Sequence, residues 1–82
     1  MHSELFIERT PGAQLRVGDT LSVFWSPGRD RIVASRPYTG PLASIYPAGV
    51  DVVTFASGVS MAVDRADLYA RIPPVRLVEP AG

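Results

Sequence analysis

Residues Val17 to Ser26 read Val-Gly-Asp-Thr-Leu-Ser-Val-Phe-Trp-Ser. The Gly18-Asp19 pair breaks the backbone. Leu21, Val23 and Trp25 then alternate with Thr20, Ser22 and Ser26. A period of two immediately after a turn is the pattern of a strand with one apolar face. It points to a small β-barrel, an architecture that carries many unrelated functions. The pattern therefore constrains the fold far more than the function.

The rest of the chain reads as further short strands. Leu5-Phe6-Ile7 is a brief apolar run that stops at Thr10-Pro11-Gly12, an added edge strand at most. The first firm strand covers about 20–26, and Ser26-Pro27-Gly28-Arg29-Asp30 is a turn cluster. Residues 31–35 form a second strand. Pro37, Gly40 and Pro41 interrupt any ladder, because proline donates no hydrogen bond. A strand resumes over 42–46, and Val50 to Phe55, β-branched and aromatic, is the clearest strand by propensity. Ser57-Gly58 is a hairpin signal before an alternating segment over 59–63. Asp64 to Leu68 suits one 3₁₀ turn. Residues 69–72 close the sheet, and Pro73-Pro74 stops it.

The expected organisation is an N-terminal segment or extra edge strand over 1–14, a barrel over 15–72 and a Pro-rich extended tail over 73–82. The fold class is all-β, a small antiparallel barrel of five to six strands with a short 3₁₀ turn. Alternation assigns Leu21, Val23, Ile32 or Val33, Ile45, Val53, Phe55, Val63 and Leu68 to the core.

Composition excludes several chemistries. With no Cys, and His2 as the single histidine, the 82 residues offer no thiolate metal site, no cysteine nucleophile and no histidine base for a serine. All the basic residues are Arg, so there is neither a Schiff-base lysine nor a P-loop. That arginine bias fits codon usage in a GC-rich bacterial genome, or a selection for planar bidentate contacts. Asp51, Asp64 and Asp67 have no spacing that separates acid–base work from surface charge. The expectation is a non-enzyme without cofactors. The formal net charge of zero argues against a dedicated nucleic-acid binder. No apolar run reaches the ~18 residues of a membrane span, and the first residues do not resemble a signal peptide. A cytoplasmic protein with no membrane partner is expected.

Two groups of residues are candidates for recognition. Trp25 is either a core plug, since it shares the parity of Leu21 and Val23, or a ligand platform. Arg29, Arg31 and Arg36 lie close in sequence, with Tyr38 just beyond. They form either a solvated face or an aromatic–basic surface for a phosphate, a base or an acidic peptide. A ligand is expected where the end of the first strand meets a loop from Pro27 to Pro41.

The order of motifs resembles the SH3-like small barrels, and among them the Tudor domains. Val17-Gly18-Asp19, the alternation up to Trp25 and the Ser26 that follows are similar to the Tudor opening. Leu42-Ala43-Ser44-Ile45 looks like its middle Ala-x-Ile segment. Val53-Thr54-Phe55 with Gly58 looks like its Val-x-Phe strand and turn, and Asp67-Leu68 like its closing 3₁₀ turn. The resemblance implies that Trp25, and with it Phe55, would stand at positions of a methyl-cation cage. The usual aromatic before Gly58 is absent, and only Tyr38, folding back, would replace a second one. Type II dihydrofolate reductases are similar small barrels, but Val59-Ser60-Met61-Ala62 lacks the polar pore-lining side chains of their Val-Gln-Ile-Tyr motif.

The function expected from these readings is a non-catalytic protein-interaction module whose partner is another protein or a peptide, such as an accessory or inhibitor protein of a phage or mobile element. The alternative is a nucleic-acid-binding barrel that uses the Arg/aromatic surface. A third reading is a homo-oligomer joined through exposed strand edges.

Overall fold

A computed structural model describes residues 7–74. Six strands form one antiparallel sheet: β1 (Glu8–Pro11), β2 (Thr20–Ser22), β3 (Arg29–Pro37), β4 (Val50–Phe55), β5 (Ser60–Asp64) and β6 (Leu68–Ile72). Their order across the sheet is β1-β6-β2-β3-β4-β5. Two 3₁₀ turns interrupt the strands, η1 (Gly12–Gln14) and η2 (Pro41–Ile45).

The sheet is rolled but open. β1 and β5 are its two edges and share no ladder, which corrects the expectation of a closed barrel. The gap between them is bridged by η1. Gly12 N–H donates to the Asp67 carbonyl at 2.9 Å, and Ala13 N–H to the Arg65 carbonyl at 3.3 Å. Gly12 can sit there because it has no side chain: a Cβ would overlap the Asp64 carbonyl oxygen and lie 2.7 Å from Val63 Cγ1.

Leu15, Leu21, Ile32, Val53, Phe55 and Val63 form the core, with Val23, Trp25, Met61 and Tyr69 packed against it. Each fully buried side chain of this size contributes about 1.5–3 kcal/mol relative to exposure. The alternation of β2 and β4 thus selects the core as expected.

Four local expectations need correction. The strand expected over 20–26 ends at Ser22: Val23 N–H keeps one further bond in the same register, to the Gly28 carbonyl at 3.0 Å, and the chain then turns, closed by Gly28 N–H to the Trp25 carbonyl at 2.7 Å. The strand expected over 31–35 runs from Arg29 to Pro37, so the segment from Pro27 to Pro41 is mostly strand and not loop. The segment 42–46 is not a strand. Pro41 removes a donor and presets a helical φ, and i→i+3 bonds from Ala43 to Gly40 and from Tyr46 to Ala43 complete the 3₁₀ turn. Ile45 is consequently 64% exposed instead of buried. Finally, residues 65–67 form a plain turn in place of the expected 3₁₀ turn, with Asp64 Oδ1 accepting from Ala66 N–H at 2.9 Å. Leu68 then opens β6 opposite Pro11 of the edge strand, where it stays 51% exposed.

The N-terminal edge strand exists, but as Glu8–Pro11, across the residues expected to turn. Leu5, Phe6 and the Pro-rich tail beyond Pro74 lie outside the described residues. Among the described residues, no helix is long and apolar enough to cross a membrane.

Candidate functional site

β3 carries a one-residue bulge. Ile32 pairs with Phe55 and Ala34 with Thr54, which leaves Val33 as the extra residue. Before the bulge, Asp30 and Ile32 point inward, and Arg29 and Arg31 outward. Without a bulge, Arg36 would share the inward parity of Ile32. The extra residue shifts that parity. Arg36 instead pairs with Val52, which alternates with the buried Val53, and it faces out. Arg29, Arg31 and Arg36 therefore line the outer surface of one strand, and all three are exposed.

Their neighbours on that surface come from the adjacent strands. Thr20 pairs with both Arg31 and Ile72, and Ser22 pairs with Arg29. A shallow depression of about 210 Å³ lies between Pro27, Gly28, Arg29 and Ile72. Phe24, 95% exposed, stands in the connection that leads into β3.

The charges are segregated. Among the described residues every carboxylate is engaged. Arg71 pairs with Glu8 at 2.6 Å and with Asp19 at 3.2 Å. Asp51 takes a bidentate contact from Arg65, at 2.9 and 2.7 Å, which holds its carboxyl below the usual range. Asp64 and Asp67 accept backbone N–H groups of their own turn. Asp30 is bound as described below. The guanidinium groups of Arg29, Arg31 and Arg36 take part in none of these contacts. The chain's neutrality hides a local positive row.

Trp25 is partly buried, packed against the core and held by its indole N–H. Its ring meets Phe55 edge-on, with centroids 5.3 Å apart, and its Nε1–H donates to Asp30 Oδ2 at 2.8 Å. The Ser57 hydroxyl donates to that same oxygen, while Arg31 N–H at 3.0 Å and Ser57 N–H at 3.3 Å donate to Oδ1. The Ser57 hydroxyl above all, opposed by burial, holds Asp30 below the ordinary carboxylate range. One buried carboxylate thus ties together the β2–β3 connection, β3 and the β4–β5 turn. Phe55 is 1% exposed, beneath Trp25, so the two rings do not flank an open cage.

Tyr38 does not join Trp25. It follows the far end of β3, about 26 Å of strand away. Its N–H donates to the Val50 carbonyl at 2.9 Å, and its ring lies against Gly40, where a Cβ would collide with it. The expected cluster is therefore split: Arg29 and Arg31 lie toward the Trp25 end of β3, and Arg36 toward the Tyr38 end. Phe24 and Ile72 belong with the first group and were not singled out from the sequence. Parity contained the signal for Phe24, since Val23 and Trp25 point inward and the residue between them must point out.

A second, more polar cleft of about 370 Å³ lies between β1, η1 and β6, lined by Glu8, Gln14, Arg16, Asp19 and Arg71 among others. Two of its three arginines are already committed, and Arg9 makes no side-chain hydrogen bond or ion pair among the described residues. Arg71 holds two carboxylates, and Arg16 Nη1 donates to the carbonyls of Ala13 and Leu15. This cleft fastens the edge strand to the sheet.

Comparison with protein-family models, with curated proteins and with solved structures finds no match to the chain.

Proposed function

We propose that the chain is a non-catalytic interaction module that receives an acidic segment of another protein along the outer face of β3. The observation that carries this is the row of Arg29, Arg31 and Arg36, outward and without an ion-pair partner among the described residues. Guanidinium forks match carboxylates in bidentate geometry and give direction as well as attraction. Phe24 and Ile72 add apolar area beside the charge, and the Asp30 contacts hold the β2–β3 connection in place before any partner arrives, which lowers the ordering cost of binding. An accessory or inhibitor protein of a phage or mobile element is one setting for such a module.

The strand order supports reading the fold as an SH3-like barrel. β6 pairs with β2, and β2 to β5 follow as a meander, with β1 added outside β6. Methyl-cation recognition of the Tudor kind is not part of the proposal, because Phe55 is buried and Tyr38 lies at the far end of β3.

A second reading, single-stranded nucleic acid, is favoured by Phe24, an exposed ring near guanidiniums on which a base can stack. Chemical-shift titrations with a Glu-rich peptide and with oligothymidylate separate the two. The proposal expects saturable shifts at Arg29, Arg31 and Arg36 with the peptide, lost in Arg31→Glu. Shifts with the oligonucleotide alone, weakening steeply with salt, move the assignment to nucleic acid. Shifts confined to other strands, or none, refute the site.

A further inference from the structure

The two edges of the sheet are not alike. β1 is short, carries Glu8 and Arg9 and ends in Pro11, all features that discourage strand pairing. β5 has no proline, and its one charged residue, Asp64, stands at its very end. From Val52 to Val63 the chain holds no charged residue and no proline. Such an edge is a template for another strand.

Hydrogen bonds define how much of β5 is open. Phe55 N–H donates to the Val59 carbonyl, and Arg65 N–H to the Gly49 carbonyl. Residues 59, 61, 63 and 65 therefore direct their backbone groups toward β4 and its connections, and residues 60, 62 and 64 direct theirs outward. Asp64 is already occupied: its N–H donates to the Tyr69 hydroxyl at 2.8 Å, and its carbonyl accepts from Asp67 N–H at 3.1 Å. Ser60 and Ala62 have no backbone partner among the described residues. The open window is these two residues, with Met61 at its centre.

From this the geometry points to a second copy of the same chain as the occupant, joined antiparallel through β5 about a two-fold axis at Met61. In that register Ser60 of each copy faces Ala62 of the other, and each such pair exchanges both of its backbone hydrogen bonds. The window is its own complement. The Asp64 of one copy falls opposite Gly58 of the other, so no like charges are opposed. Met61, half-buried against the core, meets its counterpart on the inner face, where each covers apolar surface the monomer leaves open. The result is a twelve-strand sheet with one protected edge at each end. This inference stands apart from the proposed binding face on β3.

The absence of cysteine makes a direct test available. At a non-hydrogen-bonded antiparallel pair the Cα atoms lie about 4.5 Å apart, within the range a disulfide spans. Full-length Met61→Cys should therefore oxidise readily to a covalent dimer. Ala62→Cys, whose equivalent residues lie two positions out of register, should cross-link at least ten-fold more slowly. Sedimentation equilibrium of the unmodified chain should show a concentration-dependent rise from the 8.8 kDa monomer toward twice that mass. Ala62→Lys, a change at an exposed side chain, should hold the mass at the monomer value while the circular dichroism spectrum stays the same. A strictly monomeric mass for the unmodified chain at millimolar concentration overturns the inference, as do equal cross-linking rates for the two cysteine variants or a dimer that survives Ala62→Lys.

Discussion

Gly12→Ala tests how the rolled sheet is held shut. Gly12 is buried at the start of η1, and its φ is not positive, so an alanine there meets no conformational penalty of its own. The cost is contact. The new Cβ would overlap the carbonyl oxygen of Asp64 and lie 2.7 Å from Cγ1 of Val63. The first is backbone, and the second belongs to a side chain with no exposed surface. Neither can swing aside, so η1 must lift. Overpacking of this kind costs about 1–3 kcal/mol. Lifting also weakens the bonds from Gly12 to Asp67 and from Ala13 to Arg65, each worth about 0.5–1.5 kcal/mol net. The expected loss is roughly 2–6 kcal/mol, against a total stability on the order of 4–12 kcal/mol for a chain of this length. Gly18→Ala is the control. It has φ +101° and nothing within 4 Å, so only the left-handed backbone is penalised, by about 1–2 kcal/mol. Urea denaturation of the two variants at pH 7 should give the larger loss for Gly12→Ala, and hydrogen exchange should show lost protection at Gly12 and Ala13. A Gly12→Ala chain as stable as Gly18→Ala would refute the idea that η1 seats on the β5–β6 turn.

Leu21→Ala, at a side chain 1% exposed, should cost about 2–5 kcal/mol and lower the thermal midpoint by at least ~8 °C. Phe24→Ala, at the neighbouring exposed ring, should leave that midpoint within a few degrees, and a reversed order would mean the β2 parity is wrong. Asp30 has a folded pKa below its ordinary value of 3.8, so its ionised form stabilises the fold. That contribution is complete above the ordinary carboxylate range and is lost as pH falls through the lowered folded pKa. Denaturation midpoints of Asp30→Asn and the unmodified chain should therefore differ at pH 7 and begin to converge only as pH falls below 3.8 toward the lowered folded pKa, whereas a constant gap would assign the effect to packing. If the row on β3 grips carboxylates through forks, Arg31→Lys should weaken peptide binding measurably in calorimetry even though its charge is unchanged.

Much of the core was legible because period-two alternation is a direct consequence of strand geometry. Leu21, Val53, Phe55 and Val63 are buried for the reason their spacing gives. Alternation fails where something other than a strand supplies the backbone's hydrogen bonds. Ile45 looked internal, but Pro41 sets up a 3₁₀ turn whose i→i+3 bonds are local, and nothing folds the side chain inward. The arginine row shows a subtler limit. Arg29 and Arg31 could be placed by parity, but Arg36 faces the same way only because Val33 is an extra residue in the ladder. A bulge is set by the register with β4, a long-range pairing with no local sign in residues 31–36. Asp30 was read as a turn residue. Its role as a buried anchor depends on Ser57, which is distant in the chain and comes close only once β3 and β4 have paired.

The pairing of β1 with β6 has a topological consequence. Glu8 lies opposite Arg71, so the chain enters and leaves the sheet on neighbouring strands at one pole of the molecule. A short flexible linker between residues 7 and 74 would close the backbone into a ring without bending a strand, and the chain could be reopened at the exposed Ser57-Gly58 turn. By the same geometry the sheet can be spliced into a surface loop of a host protein as a side-mounted unit. Its ends at the last paired residues, Glu8 and Arg71, lie about one strand spacing apart, ~5 Å.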